Sequence, residues 1–340
     1  MLDIVSVLKR DGWTASVLGR LLHVGCEQTV GDTHLAYIDQ GVLQITPSRY
    51  THSVVISVAV HGDEILPCVL LDRWLAEYLN QKVSLAARLL LIFANPDAVN
   101  ANTRFVAHNL NRLFANSIAE NRTLGLEGER ANTLMRVLAD FTSDNRPVWL
   151  LDLHSAIRPS LYSTFAVLPC GMPDRESVCQ HAERLGLGAT LTSSKPSSTL
   201  SWFAAAKLAC KAMTIEIGQV MTWEDAKKSA AMYRDFFLRL TQFLASPETF
   251  PSTSTSTSTS TSTSTLPIAH YAVSREIKKQ HHDLMFHFPS QSPNFSLLEA
   301  GAPILNQGGE TLLAQPQERI VFPNVNVPLG HRALLLVRPI

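Results

Sequence analysis

Two histidines and a glutamate in this chain stand where apolar runs give out, and a second glutamate interrupts another such run. The stretch VAVHGDEILP, residues 58–67, follows a nearly continuous apolar run from Val54 to Val60 with His61, and sets Glu64 three residues further on. If a strand ends near Val60 and a helix starts near Glu64, His61 projects from the carboxyl edge of a sheet and Glu64 from the first helical turn. Both then face one crevice. A second apolar run, VWLLDL from Val148 to Leu153, leads into His154. His61, Glu64 and His154 have the ligand number and type of a catalytic zinc site, which keeps a position open for water; structural sites more often use four ligands, frequently cysteines. That single set predicts one Zn2+ per chain. The alternative for HGDE alone is a solvated turn, with Asp63 as a helix cap. Asp152, two residues before His154, shares its strand face and either orients a ligand or serves as a cap or salt-bridge partner.

A metal and a water still need a proton acceptor. Glu216 in TIEIG is a carboxylate between Ile215 and Ile217 in an otherwise apolar strand, where an unpaired acid is expensive to ionise. It either belongs to a structural ion pair or points into the metal crevice, takes a proton from water and passes it to a leaving nitrogen. The segment NPDAVNANTRFVAHNLNRLF brings Arg104, Asn109, Asn111 and Arg112 close together between the apolar anchors Phe105, Leu110, Leu113 and Phe114. Arg158, in HSAIRPS, adds a cation near His154. Any one of these arginines alone would suit a surface salt bridge. The cluster points to an anionic small substrate, because arginine grips a carboxylate through two parallel hydrogen bonds. His108 stands in the same segment, but one histidine among twelve is not marked as a ligand by its neighbours.

The elements that must hold these residues alternate. Val54 to Val60 suits a central strand covered on both faces. From Glu64 to Leu79, apolar residues recur at three and four, with Pro67 tolerable in the first turn. Arg88 to Ala94 reads as the next strand, Ala131 to Phe141 as a helix, and Val148 to Leu153, LYSTFAVLP and Ala212 to Ile217 as further strands. A helix follows from about Trp223 to Leu244. This order predicts an α/β fold with a mostly parallel central sheet flanked by helices, which places binding chemistry where strands meet loops. The pattern sets a catalytic region over residues 1–250 and a low-complexity Ser/Thr surface linker over 251–266, where Ser-Thr pairs repeat from Ser252 to Thr265. Beyond it, over 267–340, short apolar runs broken by Pro, Gly and Asn predict a β-rich C-terminal region.

With 340 residues, 46% of them hydrophobic, the chain can bury a large core. Its 29 basic residues balance its 29 acidic ones, so no global field recruits nucleic acid or anionic lipid. No run of about 18 apolar residues suggests a membrane span. The first residues lack a signal peptide's order of basic end, apolar run and cleavage site. Five cysteines without a CxxC pair suit a reducing cytoplasm better than a disulfide scaffold. Nothing sets a subunit number.

HGDE, NPDAVNANTRF, NLNRLF, DLHSAIR and TIEIG, in that order, resemble the zinc-dependent succinylglutamate desuccinylase and aspartoacylase family, related in fold to metallocarboxypeptidases. GGETLL and VFPN extend the likeness into the C-terminal region. The resemblance implies that His61, Glu64 and His154 bind zinc, that Arg104, Asn111 and Arg112 contact an acyl-amino-acid substrate or the reaction centre, and that Glu216 handles the proton. DLHSAIR followed by STFAVLP looks more like the succinylglutamate branch, and Asn109 stands where aspartoacylase carries Asp. The implied reaction is hydrolysis of the small dicarboxylic N-acyl amino acid N-succinyl-L-glutamate in cytoplasmic arginine degradation. A deacylase of another acylamino acid, a metallocarboxypeptidase and a non-enzymatic anion-binding module are the alternatives.

Overall fold

The computed structural model describes residues 3–144, 146–245 and 268–340. The Ser/Thr segment expected to be a linker lies outside the described residues. Four adjacent parallel strands form the centre of the sheet: Ala87–Phe93, His52–Val58, Val148–Ala156 and Lys211–Gln219. His52–Val58 and Val148–Ala156 are buried at every position. Strand parity divides their side chains between two cores. Val54, Ile56 and Val58 pack on one face with the helices Leu66–Leu79 and Arg234–Ala245. Val55 and Leu150 pack on the other, against Gly125–Phe141 and Leu200–Leu208. The same parity sends Asp152 and His154 to the second face, together with Ala212, Thr214 and Glu216. Chemistry-bearing residues of two strands therefore emerge on one side.

Toward both edges the sheet becomes mixed. Thr164–Leu168 runs antiparallel to Lys211–Gln219, and three antiparallel strands from Cys26–Val30 to Val42–Pro47 close the opposite edge. The C-terminal residues continue this same sheet. Ala269–Lys278 pairs in parallel with Ala189–Thr192, then antiparallel with Arg332–Pro339, which in turn pairs with Arg319–Val321. A separate three-stranded sheet, Met285–Phe286, Pro303–Gln307 and Glu310–Leu313, completes the smaller β region. Among the described residues no helix is long and apolar enough to cross a membrane.

Two local expectations change. The first long helix begins at Leu66 and has no side-chain cap, so Asp63 is not a cap; it pairs with Arg104 at 3.3 Å. The helix expected from Trp223 is broken into Trp223–Ser229 and Arg234–Ala245 by a 3-10 turn. That turn brings Tyr233 against Gly218, where a Cβ would meet the Tyr233 hydroxyl at 2.3 Å.

His52 opens the central strand and is buried, its ring 5.9 Å from that of Phe243. Burial pushes its pKa from 6.5 down to about 4. The unfolded chain therefore takes up a proton first as pH falls, so this contribution to stability is full above about pH 6.5 and is lost progressively down to about pH 4. Urea unfolding at pH 7 and pH 5 should show a smaller acid loss in His52→Leu than in the wild-type protein.

Candidate active site

Backbone geometry, more than side-chain spacing, aims His61 and Glu64. The central strand ends at Val58, and Ala59 takes a left-handed conformation with φ 56°, unusual for a residue with a Cβ and of a kind that persists where the surroundings over-determine it. Val58 and Ala59 carbonyls accept from Ala94 and Asn95 N–H, fixing the exit from the strand. Gly62 then presses on the following loop: a Cβ there would stand 2.3 Å from the Ala98 carbonyl carbon and 2.5 Å from the Thr103 oxygen. Only glycine allows the Gly62 N–H to reach the Arg104 carbonyl at 3.1 Å.

The Glu64 carboxylate, 2% exposed, is the hub of the site. Its Oε1 lies 2.8 Å from His61 Nδ1 and accepts from Arg104 Nη1 at 2.9 Å. Its Oε2 lies 2.7 Å from His154 Nδ1 and accepts from the Ser155 N–H at 3.2 Å. One ligand atom from each of His61, Glu64 and His154 fits within 4.8 Å of the others. The second nitrogen of each imidazole faces an oxygen. His154 Nε2 is 3.0 Å from Asp152 Oδ2, and His61 Nε2 is 3.1 Å from Asn109 Oδ1, which also accepts from the Asn111 N–H. Both Nε2 atoms are therefore donors, and both Nδ1 lone pairs can be offered to a cation beside Glu64. The donor set fits a divalent metal that accepts nitrogen and oxygen.

The field at this point is strongly negative. Burial would push the Glu64 carboxyl up, but His61 and His154 outweigh it and hold it well below the usual carboxylate range. Burial likewise lowers His154, yet Asp152 and Glu64 override it and hold that imidazole well above its ordinary value. At His61 burial prevails over Glu64, and its pKa falls. The pull that favours a proton on His154 also favours a cation in its place. Asp152 is fully buried, and its Oδ1 has no hydrogen-bond partner, so its charge acts through His154.

Glu216 is paired in register with His154 on the adjacent strand, and its carboxylate has no hydrogen-bond partner among the described residues. Burial first, with Glu64 and Asp152 adding to it against His154 and Arg104, raises its pKa to about 7. A carboxyl poised near neutrality beside a residue cluster that could hold a metal can exchange a proton at physiological pH.

The residues expected to bind substrate divide into three groups. Arg112 closes the 3-10 turn Leu110–Arg112. Its Nη1 donates to the Asn111 carbonyl at 2.7 Å, and burial, with Arg332 and Arg104 nearby, lowers its pKa to about 10. Arg104, Asn109 and Asn111 are turned inward to build the site: Arg104 onto Asp63 and Glu64, Asn109 onto His61, and the Asn111 Oδ1 onto the Leu200 N–H at 3.0 Å. Arg158 donates instead to the Ser290 carbonyl, joining the loop after the His154 strand to the C-terminal region; none of its bonds reaches the cluster. His108 contributes only its backbone N–H, to Glu127.

Glu127 was not legible as part of the site. It is 2% exposed, and its two carboxylate oxygens accept from the N–H groups of Val106, Ala107 and His108 at 2.5–3.4 Å. It thus clamps the loop that carries Arg104 and Asn109. A glutamate in the first turn of a helix reads as a dipole partner, and nothing in its spacing announces the loop it binds.

Residues 50–244 match the Succinylglutamate desuccinylase/Aspartoacylase catalytic domain, and residues 266–340 the AstE/AspA barrel-sandwich hybrid domain. The chain belongs to the succinylglutamate desuccinylase/aspartoacylase family. It is 35% identical to the succinylglutamate desuccinylase of Vibrio cholerae over 306 residues, 88% of this chain and 84% of that protein. The corresponding protein of Shewanella frigidimarina is 31% identical over 310 residues, 88% of this chain and 86% of that one. The X-ray structure of the Vibrio parahaemolyticus succinylglutamate desuccinylase superposes with a TM-score of 0.85 at 31% identity, covering 97% of this chain and 96% of that one. Murine aminoacylase 3, at 16% identity and a TM-score of 0.53, covering 86% of this chain and 96% of that one, shares the fold. The match to the desuccinylase/aspartoacylase family thus spans both the metal cluster and the C-terminal strands.

Asp152→Asn replaces the acceptor behind His154 by an amide of the same shape. Divalent-metal affinity should fall about 10–100-fold, with the fold retained, as read by competition with a chromogenic chelator alongside circular dichroism.

Proposed function

We propose that this chain hydrolyses the amide bond of N-succinyl-L-glutamate to succinate and L-glutamate, with one Zn2+ held by His61, Glu64 and His154. The observation that carries the reading is the buried two-histidine, one-glutamate cluster with Glu216 beside it, in a chain whose relatives of 31–35% identity are named succinylglutamate desuccinylase. Zinc, when bound, supplies Lewis acidity to the scissile carbonyl and to the attacking water.

The protein's own residues do the rest. Glu216 accepts the proton that the attacking water loses and delivers it to the amide nitrogen as the carbon–nitrogen bond breaks. A pKa raised to about 7 by burial suits both halves of that task near neutral pH. Asp152 and Asn109 hold the two imidazoles with their Nδ1 atoms inward. Arg104 is held by Asp63 and Glu64, whereas Arg112 has no ion pair among the described residues and can meet substrate negative charge. We further read the compartment as the cytoplasm and the role as arginine degradation, a reading supported by five free cysteines and by the family motifs.

Glu216→Gln should keep a full complement of zinc while turnover of N-succinylglutamate falls about 10²–10⁴-fold. Normal turnover by a zinc-loaded variant would remove Glu216 from the mechanism. Relative turnover of N-succinylglutamate, N-acetylaspartate and a short peptide by one zinc-characterised sample tests the substrate; preference for either of the latter two overturns it.

A further inference from the structure

The strand that carries Glu216 does not run evenly past the strand that carries His154. Their register holds from Trp149↔Lys211 to His154↔Glu216 and resumes at Ala156↔Gln219, so a step of two residues on one strand faces a step of three on the other. The Glu216 strand therefore carries one extra residue, directly after Glu216. Such a bulge bends its strand, sharpens the local twist and re-aims the neighbouring side chain. Gly218 takes the turn at φ 61°, a left-handed conformation that glycine adopts without strain, and a Cβ there would meet the Leu66 side chain at 3.2 Å as well as the Tyr233 hydroxyl.

A bulge interrupts the ladder, and its buried backbone groups need other partners. On one side the Gly218 N–H donates to the Ser163 carbonyl at 2.9 Å. On the other, the Ile217 carbonyl accepts from the Ser155 hydroxyl at 3.0 Å. Ser155 is 2% exposed, and its own N–H donates to Glu64 Oε2 at 3.2 Å. The strand period turns its side chain to the face opposite His154. One residue thus holds the carboxylate of the metal cluster through its backbone and the strand of the second carboxylate through its side chain.

We infer that Ser155 is a positioning residue for Glu216: by holding the Ile217 carbonyl, its hydroxyl fixes the bulge and with it the place of the Glu216 carboxylate relative to His61, Glu64 and His154. Misplacement of a reacting group by about an ångström can cost about 10²-fold in rate. Every side chain at position 155 except proline keeps the N–H that holds Glu64, so loss of the hydroxyl spares the metal cluster. The effect on turnover rests on the desuccinylase reading, in which Glu216 moves the proton; the effect on geometry does not.

The test uses zinc-loaded full-length protein with Ser155→Ala, Ser155→Thr, Glu216→Gln and the Ser155→Ala/Glu216→Gln double variant. Ser155→Ala should lower kcat for N-succinylglutamate about 10–100-fold, with KM, zinc content and circular dichroism little changed. Ser155→Thr keeps the hydroxyl and should recover most of the loss. In the Glu216→Gln background Ser155→Ala should bring little further loss, because both changes act on one group. An unchanged kcat in Ser155→Ala, a folded Ser155→Thr as impaired as Ser155→Ala, or an undiminished penalty in the Glu216→Gln background overturns the positioning role. Normal turnover by zinc-loaded Glu216→Gln, or none by the wild-type protein, defeats the desuccinylase reading instead. Crystal structures of the wild-type protein and Ser155→Ala, grown alike, then decide the geometry: a Glu216 carboxylate displaced by about an ångström upholds the inference, and one that has not moved rejects it.

Discussion

A carboxylate with almost no access to water is the constraint around which this protein is arranged. Taking Glu64 out of solvent costs several kcal/mol unless its oxygens are satisfied; they accept from a guanidinium and a backbone N–H and lie against the Nδ1 atoms of two imidazoles. Those four partners come from three parts of the chain. The turn after the central strand gives His61, the loop after the second strand gives Arg104, and the next parallel strand gives His154 and Ser155. Assembling Glu64 therefore assembles the metal cluster.

The supports behind these partners are equally tied to the fold. Asn109 and Asp152 fix the ring nitrogens that must donate, so that the others point to the centre. Glu127 fixes the loop that carries Arg104 and Asn109. Gly62 permits the two loops to touch at all, since any Cβ would overlap the backbone opposite. A cluster that converges on one point needs this rigidity, because a ligand displaced by an ångström no longer completes the set.

Two carboxylates a short distance apart are driven in opposite directions by what surrounds them. Histidines hold Glu64 ionised well below the ordinary range, whereas burial, with Glu64 and Asp152 adding to it, lifts Glu216 to about 7. One is suited to hold a cation and the other to exchange a proton. The strand Arg332–Pro339 extends the central sheet through Ala269–Lys278, so the C-terminal region is joined to the catalytic strands by backbone hydrogen bonds.

Much of this was legible in the residues. Apolar runs marked the central strands, and the period of two placed Asp152 with His154 and set Glu216 apart from its isoleucine neighbours. HGDE and DLHSAIR identified the cluster because metal chemistry demands particular side chains at strand ends, a local requirement that spacing records. The 3-10 break at Ala230–Tyr233, the freedom of Asp63 from capping and the turning inward of Asn109 and Asn111 were not legible, because hydrogen-bond partners far apart in sequence decide them. Glu127 was hidden for the same reason. A charged residue reads alike on a surface and in a cleft until the chain closes around it. The sequence by itself determined which atoms could hold a metal and move a proton; tertiary structure decided which arginines are held in ion pairs with the site's carboxylates, since the energy of a charge depends on its burial and its neighbours.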